Sequence, residues 1–134
     1  MKKFSLSLVA LVSLFVVSCD VVEEPVVTDE LTMEEEAVAL DRSFQKIVDL
    51  AEVPDCDAVD GWYVTDYGKK ACGGPVGYIA YPDHINSTEF IALVRQHKED
   101  MASFNDKWGL TSDCETPLQP VGVICVDGQP AFKY

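Results

Sequence analysis

The chain has 134 residues, with 10 Lys and Arg against 23 Asp and Glu, a formal net charge of -13, and 48% hydrophobic residues. That length allows a single domain with a modest core, and that charge makes nucleic acid and anionic lipid headgroups poor partners, because both would be repelled. No cofactor motif is present: Gly73-Gly74 precedes a proline and not a helix N-terminus, so this pair does not form a phosphate cradle.

The first element is an export signal. Lys2 and Lys3 form a positive n-region, and Phe4 to Val17 is an apolar run well short of the roughly 20 residues a spanning helix needs. It closes on Val16-Val17-Ser18-Cys19, which resembles a lipobox, where a small residue precedes a cysteine that receives lipid on its thiol. Residues 1–18 are therefore expected to be a lipoprotein signal peptide and Cys19 the acylated first residue of the mature protein. One acyl chain holds a membrane only reversibly, so stable anchoring needs several. This predicts a bacterial envelope protein, anchored to the membrane through Cys19 and extracytoplasmic, on the periplasmic or surface face of the outer membrane.

Loss of Lys2 and Lys3 leaves 8 basic and 23 acidic residues, a net charge of -15, and between Asp20 and Asp60 the 14 acidic residues are countered only by Arg42 and Lys46. Residues 19–31 lack usable periodicity and read as a disordered, lipidated acidic tether. Such charge keeps a domain soluble and off the bilayer, and it is compatible with a cationic partner.

A domain is expected over 32–134. Thr32-Met33-Glu34-Glu35 matches a capping box, and Ala37, Leu40, Phe44, Ile47, Val48 and Ala51 recur at helical spacing until Pro54 stops the run. Asp55, Asp57 and Asp60 before Gly61 make a weak calcium candidate, but their spacing is not that of an EF-hand loop, and a solvated turn explains them better. Trp62 to Tyr67, a turn at Gly68-Lys69-Lys70, and Ala71 to Tyr81 predict a hairpin whose second strand is interrupted by a bulge at Gly73-Gly74-Pro75. Asn86 and Glu89 cap a second helix carrying Phe90, Val94, His97, Met101, Phe104 and Trp108 on one face, with Gly109 as its stop. Val121 to Val126, Asp127-Gly128 and Gln129 to Tyr134 predict a second hairpin. The expected fold is α+β: two helices packed on one face of a small four-stranded, mainly antiparallel sheet built from the two hairpins.

With Cys19 assigned to lipid, Cys56, Cys72, Cys114 and Cys125 are an even set of four, which in an exported chain reads as two disulfides. Zinc is disfavoured because no cysteine pair has the short spacing of such sites, and His84 and His97 flank none closely. Cys72 lies near the first hairpin's turn and Cys56 beyond its open end, outside the roughly 7 Å reach of a bridge. The strand from Cys72 and the returning helix each run about 33 Å, which brings Cys114 level with Cys72. The expected pairs are Cys72 with Cys114 and, by elimination, Cys56 with Cys125.

Gly68-Lys-Lys-Ala-Cys-Gly-Gly-Pro-Val-Gly-Tyr78, a helix, Ser112-Asp-Cys114 and Cys125-Val-Asp-Gly128 together resemble a group of small exported bacterial lipoproteins with a Cys-Gly-Gly-Pro core followed by tyrosine. The likeness covers Cys56 to Gly128, implies no activity, and departs from the group in lacking extra cysteines. A rigid loop of Lys69, Lys70, Gly73, Gly74 and Pro75, with Tyr67 and Tyr78 at its ends, is suited to contact another protein, although turn chemistry alone also accounts for it. No nucleophile stands beside a recognisable base. The expected role is a non-catalytic, inhibitor-like binding module acting on an envelope or extracellular protein. The alternatives are a calcium-stabilised structural lipoprotein, and a small hydrolase in which His84 or His97 meets a carboxylate.

Overall fold

Each helix begins on a side chain that satisfies its orphan N–H groups. The computed structural model describes residues 30–52, 56 and 61–134. Thr32 caps α1 (Met33–Ala51): its hydroxyl accepts from the Glu35 N–H at 3.3 Å, and the Glu35 carboxylate accepts from the Thr32 N–H at 2.9 Å. β1 (Trp62–Tyr67) pairs antiparallel with β2 (Gly77–Pro82), in a register that sets Tyr63 opposite Tyr81 and Thr65 opposite Ile79. α2 (Ser87–Trp108) starts at Asn86, whose Oδ1 accepts from the Glu89 N–H at 3.3 Å. It ends on Gly109, at φ 58°, with the Leu110 N–H turned back to the Asn105 carbonyl at 3.0 Å, the left-handed stop that glycine adopts without steric cost. β3 (Gly122–Val126) and β4 (Gln129–Lys133) form a second antiparallel pair around Asp127 and Gly128, both at positive φ, as a two-residue hairpin turn requires.

The α+β class stands, but the single four-stranded sheet does not: the strands form two separate two-stranded sheets. β1 runs beside β3 with no ladder joining them. Strand alternation and turn chemistry define each hairpin locally, whereas pairing between hairpins depends on how distant segments are brought together. The helices pack chiefly on the first hairpin. α1 packs on α2 and on β2, and α2 packs on β1. The second hairpin is held at the side, through a Cys56–Cys125 disulfide with Cα atoms 5.6 Å apart and a Cys56 N–H bond to the Gly128 carbonyl at 2.9 Å.

The core is the seam of Ile47, Ala51, Tyr81, Phe90 and Val94, with Ile47 0% and Phe90 1% exposed and Phe44, Tyr67 and Ile79 packed around them. Burying each such large side chain contributes about 1.5 to 3 kcal/mol. The far ends of the helices are clamped by Glu36, which accepts from Lys107 Nζ at 2.6 Å and from Trp108 Nε1 at 2.8 Å. Those two donors hold the Glu36 carboxyl below the usual carboxylate range.

His97 belongs to the same interhelical seam. It is 5% exposed, stacks on Phe44 with centroids 5.4 Å apart, and places Nδ1 2.6 Å from Ser43 Oγ. Because the Ser43 hydroxyl hydrogen is donated to the Leu40 carbonyl at 2.8 Å, Nδ1–H is the donor to Ser43. Burial pushes the His97 pKa below 6.5, against the opposing pull of Asp100 and Asp41. The ring is thus neutral when folded but protonates first in the unfolded chain, so its stabilising contribution is present above about pH 6.5 and lost as pH falls through the folded value. Urea denaturation between about pH 7 and pH 5 should show a falling unfolding free energy, and His97→Gln should flatten that slope.

Candidate functional site

The predicted binding loop starts where β1 turns away from its sheet. Gly68 is buried at φ 68°, and a Cβ there would meet Val76 Cγ2 at 2.8 Å and Met101 Sδ at 3.1 Å. The loop then closes on itself: the Lys70 N–H donates to the Gly74 carbonyl at 3.0 Å, Gly73 N–H to the Lys70 carbonyl at 2.9 Å, and Val76 N–H to the Tyr67 carbonyl at 3.0 Å. Asn105 Nδ2 of α2 pins the Lys69 carbonyl at 2.8 Å. The strand expected from Ala71 begins only at Gly77. Gly73 at φ 100° and Gly74 at φ 78° leave the extended region, and Pro75 has no N–H to pair, so 71–76 is a turn and not an interrupted strand.

The expected loop residues do not act as one surface. Lys70 faces the protein: its ammonium lies 2.5 Å from Asp113 Oδ1 and 2.7 Å from the Glu115 carbonyl. That pairing raises the Lys70 pKa and lowers that of Asp113. Lys69 joins Arg95 and Lys98 along a 420 Å³ cleft beside α2. Pro75 and Tyr78 line a different groove, of 580 Å³, shared with residues 62–66 of β1 and 119–122 at the entry to β3.

Cysteine placement departs from the expected two bridges. Cys56 and Cys125 are joined, but Cys72 and Cys114 are exposed free thiols. They lie close enough to shift each other's titration, in opposite directions. The physical reason is the turn that replaced the expected strand: it presents Cys72 to residues 112–114 at the surface, where non-covalent bonds satisfy it. Its N–H donates to Ser112 Oγ at 3.3 Å and its Sγ to the Asp113 carbonyl at 3.1 Å.

The groove runs along an open strand edge. The Asp83 N–H donates to the Gly61 carbonyl at 2.6 Å, and Pro82, without an N–H, stands opposite Trp62. By antiparallel alternation, odd-numbered residues of β1 bond β2, and the N–H and C=O groups of Trp62, Val64 and Asp66 point the other way. Among the described residues no strand pairs with that edge. Trp62, Gln119, Pro120 and Val121, which complete the groove, carried no distinguishing pattern in the sequence, and Asp113 lies 43 residues from the lysine it holds.

Cys19 and the calcium candidates Asp55, Asp57 and Asp60 lie outside the described residues. Among the described residues no cluster of three or more His, Cys, Asp or Glu side chains could hold a metal ion. His84 is exposed at the mouth of α2, whereas His97 is enclosed between the helices, so the fold does not bring the two together. No protein-family model, curated protein or solved structure matches the chain.

Gly68 and Gly74 both sit at positive φ, but only Gly68 is crowded. Gly68→Ala is expected to lower the unfolding free energy by roughly 2 to 4 kcal/mol, from backbone strain plus overpacking. Gly74→Ala, which meets nothing within 4 Å, should cost only strain of about 1 to 2 kcal/mol. Equal losses in chemical denaturation would show that the packing of Val76 and Met101 against Gly68 does not seat the loop.

Proposed function

We propose that this chain is a lipid-anchored, extracytoplasmic envelope protein whose domain binds, without catalysis, an extended segment of a partner protein along the outer edge of β1. The single observation that carries the reading is the 580 Å³ groove between residues 62–66 and 119–122, toward which the backbone groups of Trp62 and Val64 and the N–H of Asp66 are directed, with no strand among the described residues pairing them. An extended peptide laid there adds a strand to the first hairpin: main-chain hydrogen bonds supply affinity, and Trp62, Pro75, Tyr78 and Pro120 contact its side chains. The net charge of -15 left after loss of Lys2 and Lys3 (8 basic against 23 acidic residues) favours encounter with a cationic segment. Exposed edges are otherwise a route to aggregation, and an acidic tether between domain and membrane keeps neighbouring copies apart.

Two substitutions test the parts separately. Val64→Pro removes one outward N–H and no ladder bond, so the melting temperature should stay within a few degrees of wild type. Capture of a partner from envelope extract by the purified protein should nevertheless be lost. Undiminished capture of the same protein by V64P would remove the edge from the mechanism. Cys19→Ser should abolish acyl labelling and release the protein from the membrane fraction, and retention of both would overturn the anchor.

A further inference from the structure

The thiol pair at the surface has a chemistry that strand addition does not use. Cys72 and Cys114 are both exposed and free; Cys72 sits on a turn closed by the Lys70–Gly74 bond, and Cys114 follows Asp113, whose carbonyl accepts from Cys72 Sγ at 3.1 Å. Cys56 and Cys125 are already bridged, with Cys56 buried. The first pair is open to a reagent in solution, whereas the bridged pair has one residue, Cys56, buried and the other half-buried.

We propose that Cys72 and Cys114 are a thiol–disulfide exchange site, in which Cys72 attacks a small-molecule or protein disulfide and Cys114 resolves the adduct. The asymmetry between the two sulfurs sets the order. A hydrogen bond from Cys114, a second from Ser112 at 3.4 Å, and the Lys70 ammonium nearby lower the Cys72 pKa. Cys114 is pushed up, first because its hydrogen is engaged by Cys72, then by burial and by the charges of Cys72 and Asp113. Of the two, Cys72 is therefore the one that more readily gives up its proton, which in the thiol form is donated to the Asp113 carbonyl, and the thiolate is the nucleophile.

In the first step the Cys72 thiolate attacks one sulfur of a disulfide RSSR. A Cys72–SR bond forms, the original S–S bond breaks, and the RS⁻ released takes up a proton. That step removes the negative charge on Cys72 and its claim on the Cys114 hydrogen, which are among the causes holding Cys114 protonated. Cys114 then loses its proton to water and attacks Cys72 Sγ, forming the Cys72–Cys114 bond and expelling the second RS⁻, which is protonated in turn. The two protein thiols are oxidised by two electrons, and RSSR is reduced to two RSH. The adjacency of the sulfurs allows this with little movement of the fold, since residues 70–74 and 112–115 are already tied by Lys70 and Ser112.

The test uses the full-length lipidated protein in detergent, without any partner, so its outcome is independent of peptide capture at the groove. After mild reduction, alkylation by iodoacetamide should label Cys72 before Cys114, with a rate midpoint below the roughly 8.5 of an unperturbed thiol. Ser112→Ala and Lys70→Met should each raise that midpoint while leaving the near-ultraviolet circular dichroism unchanged. With glutathione disulfide as the probe, Cys114→Ser should accumulate a glutathionyl adduct on Cys72. Cys72→Ser should react at Cys114 at least about tenfold more slowly, as expected for a thiol without thiolate character. Wild type should end as the Cys72–Cys114 disulfide with two glutathiones released, and reduced glutathione should reopen it while Cys56–Cys125 stays closed. Equal labelling of the two thiols, faster reaction at Cys114, or a Cys72–Cys114 bond that opens only together with Cys56–Cys125 overturns the proposal. A protein disulfide as the natural co-reactant would appear as a mixed-disulfide complex trapped by Cys114→Ser in envelope extract, and a small-molecule one as the glutathionyl-type adduct alone.

Discussion

Ile47 of α1 and Phe90 of α2 meet beneath Tyr81 of β2, and the other elements are arranged around that contact. In a domain this small one fully enclosed aromatic and one fully enclosed aliphatic side chain are a large part of what opposes chain entropy. The contact needs both helices to turn one face toward the same side of the first hairpin. It also explains why a histidine occupies the seam: beyond Val94 the helices are bridged by a hydrogen bond, His97 to Ser43, before Glu36 clamps their far ends with Lys107 and Trp108.

Because the helices pack chiefly on the first hairpin, the second is not sandwiched against them. It is retained by the Cys56–Cys125 bridge and by its run alongside β1. That arrangement leaves the outer edge of β1 and the segment ahead of β3 close together without a ladder between them. A groove at such a place follows from the topology: Pro120 has no N–H to pair at the entry to β3, and the bridge fixes the hairpin by its opposite end.

The loop between β1 and β2 shows how charge is used once the backbone is settled. Two glycines at positive φ and a proline keep 71–76 out of the sheet, which frees Lys70 to reach across to residues 113–115. The lysine brings the segment after α2 against the loop and places a positive charge near Cys72 in a chain otherwise rich in negative ones. One ion pair thereby serves both the position of the segment and the character of the thiol.

The capping box at Thr32, the N-cap at Asn86, the left-handed stop at Gly109, the apolar stripes of both helices and the Asp127-Gly128 turn were all legible in the sequence, since each is decided by residues within a few positions of one another. The approach of Cys72 to Cys114 was expected too, but from a strand running on from Cys72, whereas the observed strand begins at Gly77 and a turn carries Cys72 to residues 112–114. Tertiary structure decided that the hairpins remain two sheets, that the Gly73-Gly74-Pro75 segment is a turn carrying an exposed thiol, and that Lys70 points inward while Pro75 and Tyr78 line a groove. Those outcomes rest on contacts between residues tens of positions apart, such as Lys70 with Asp113 and Gly68 with Met101. Their energies depend on distance and burial in the folded chain, and neither quantity is written into local spacing or composition.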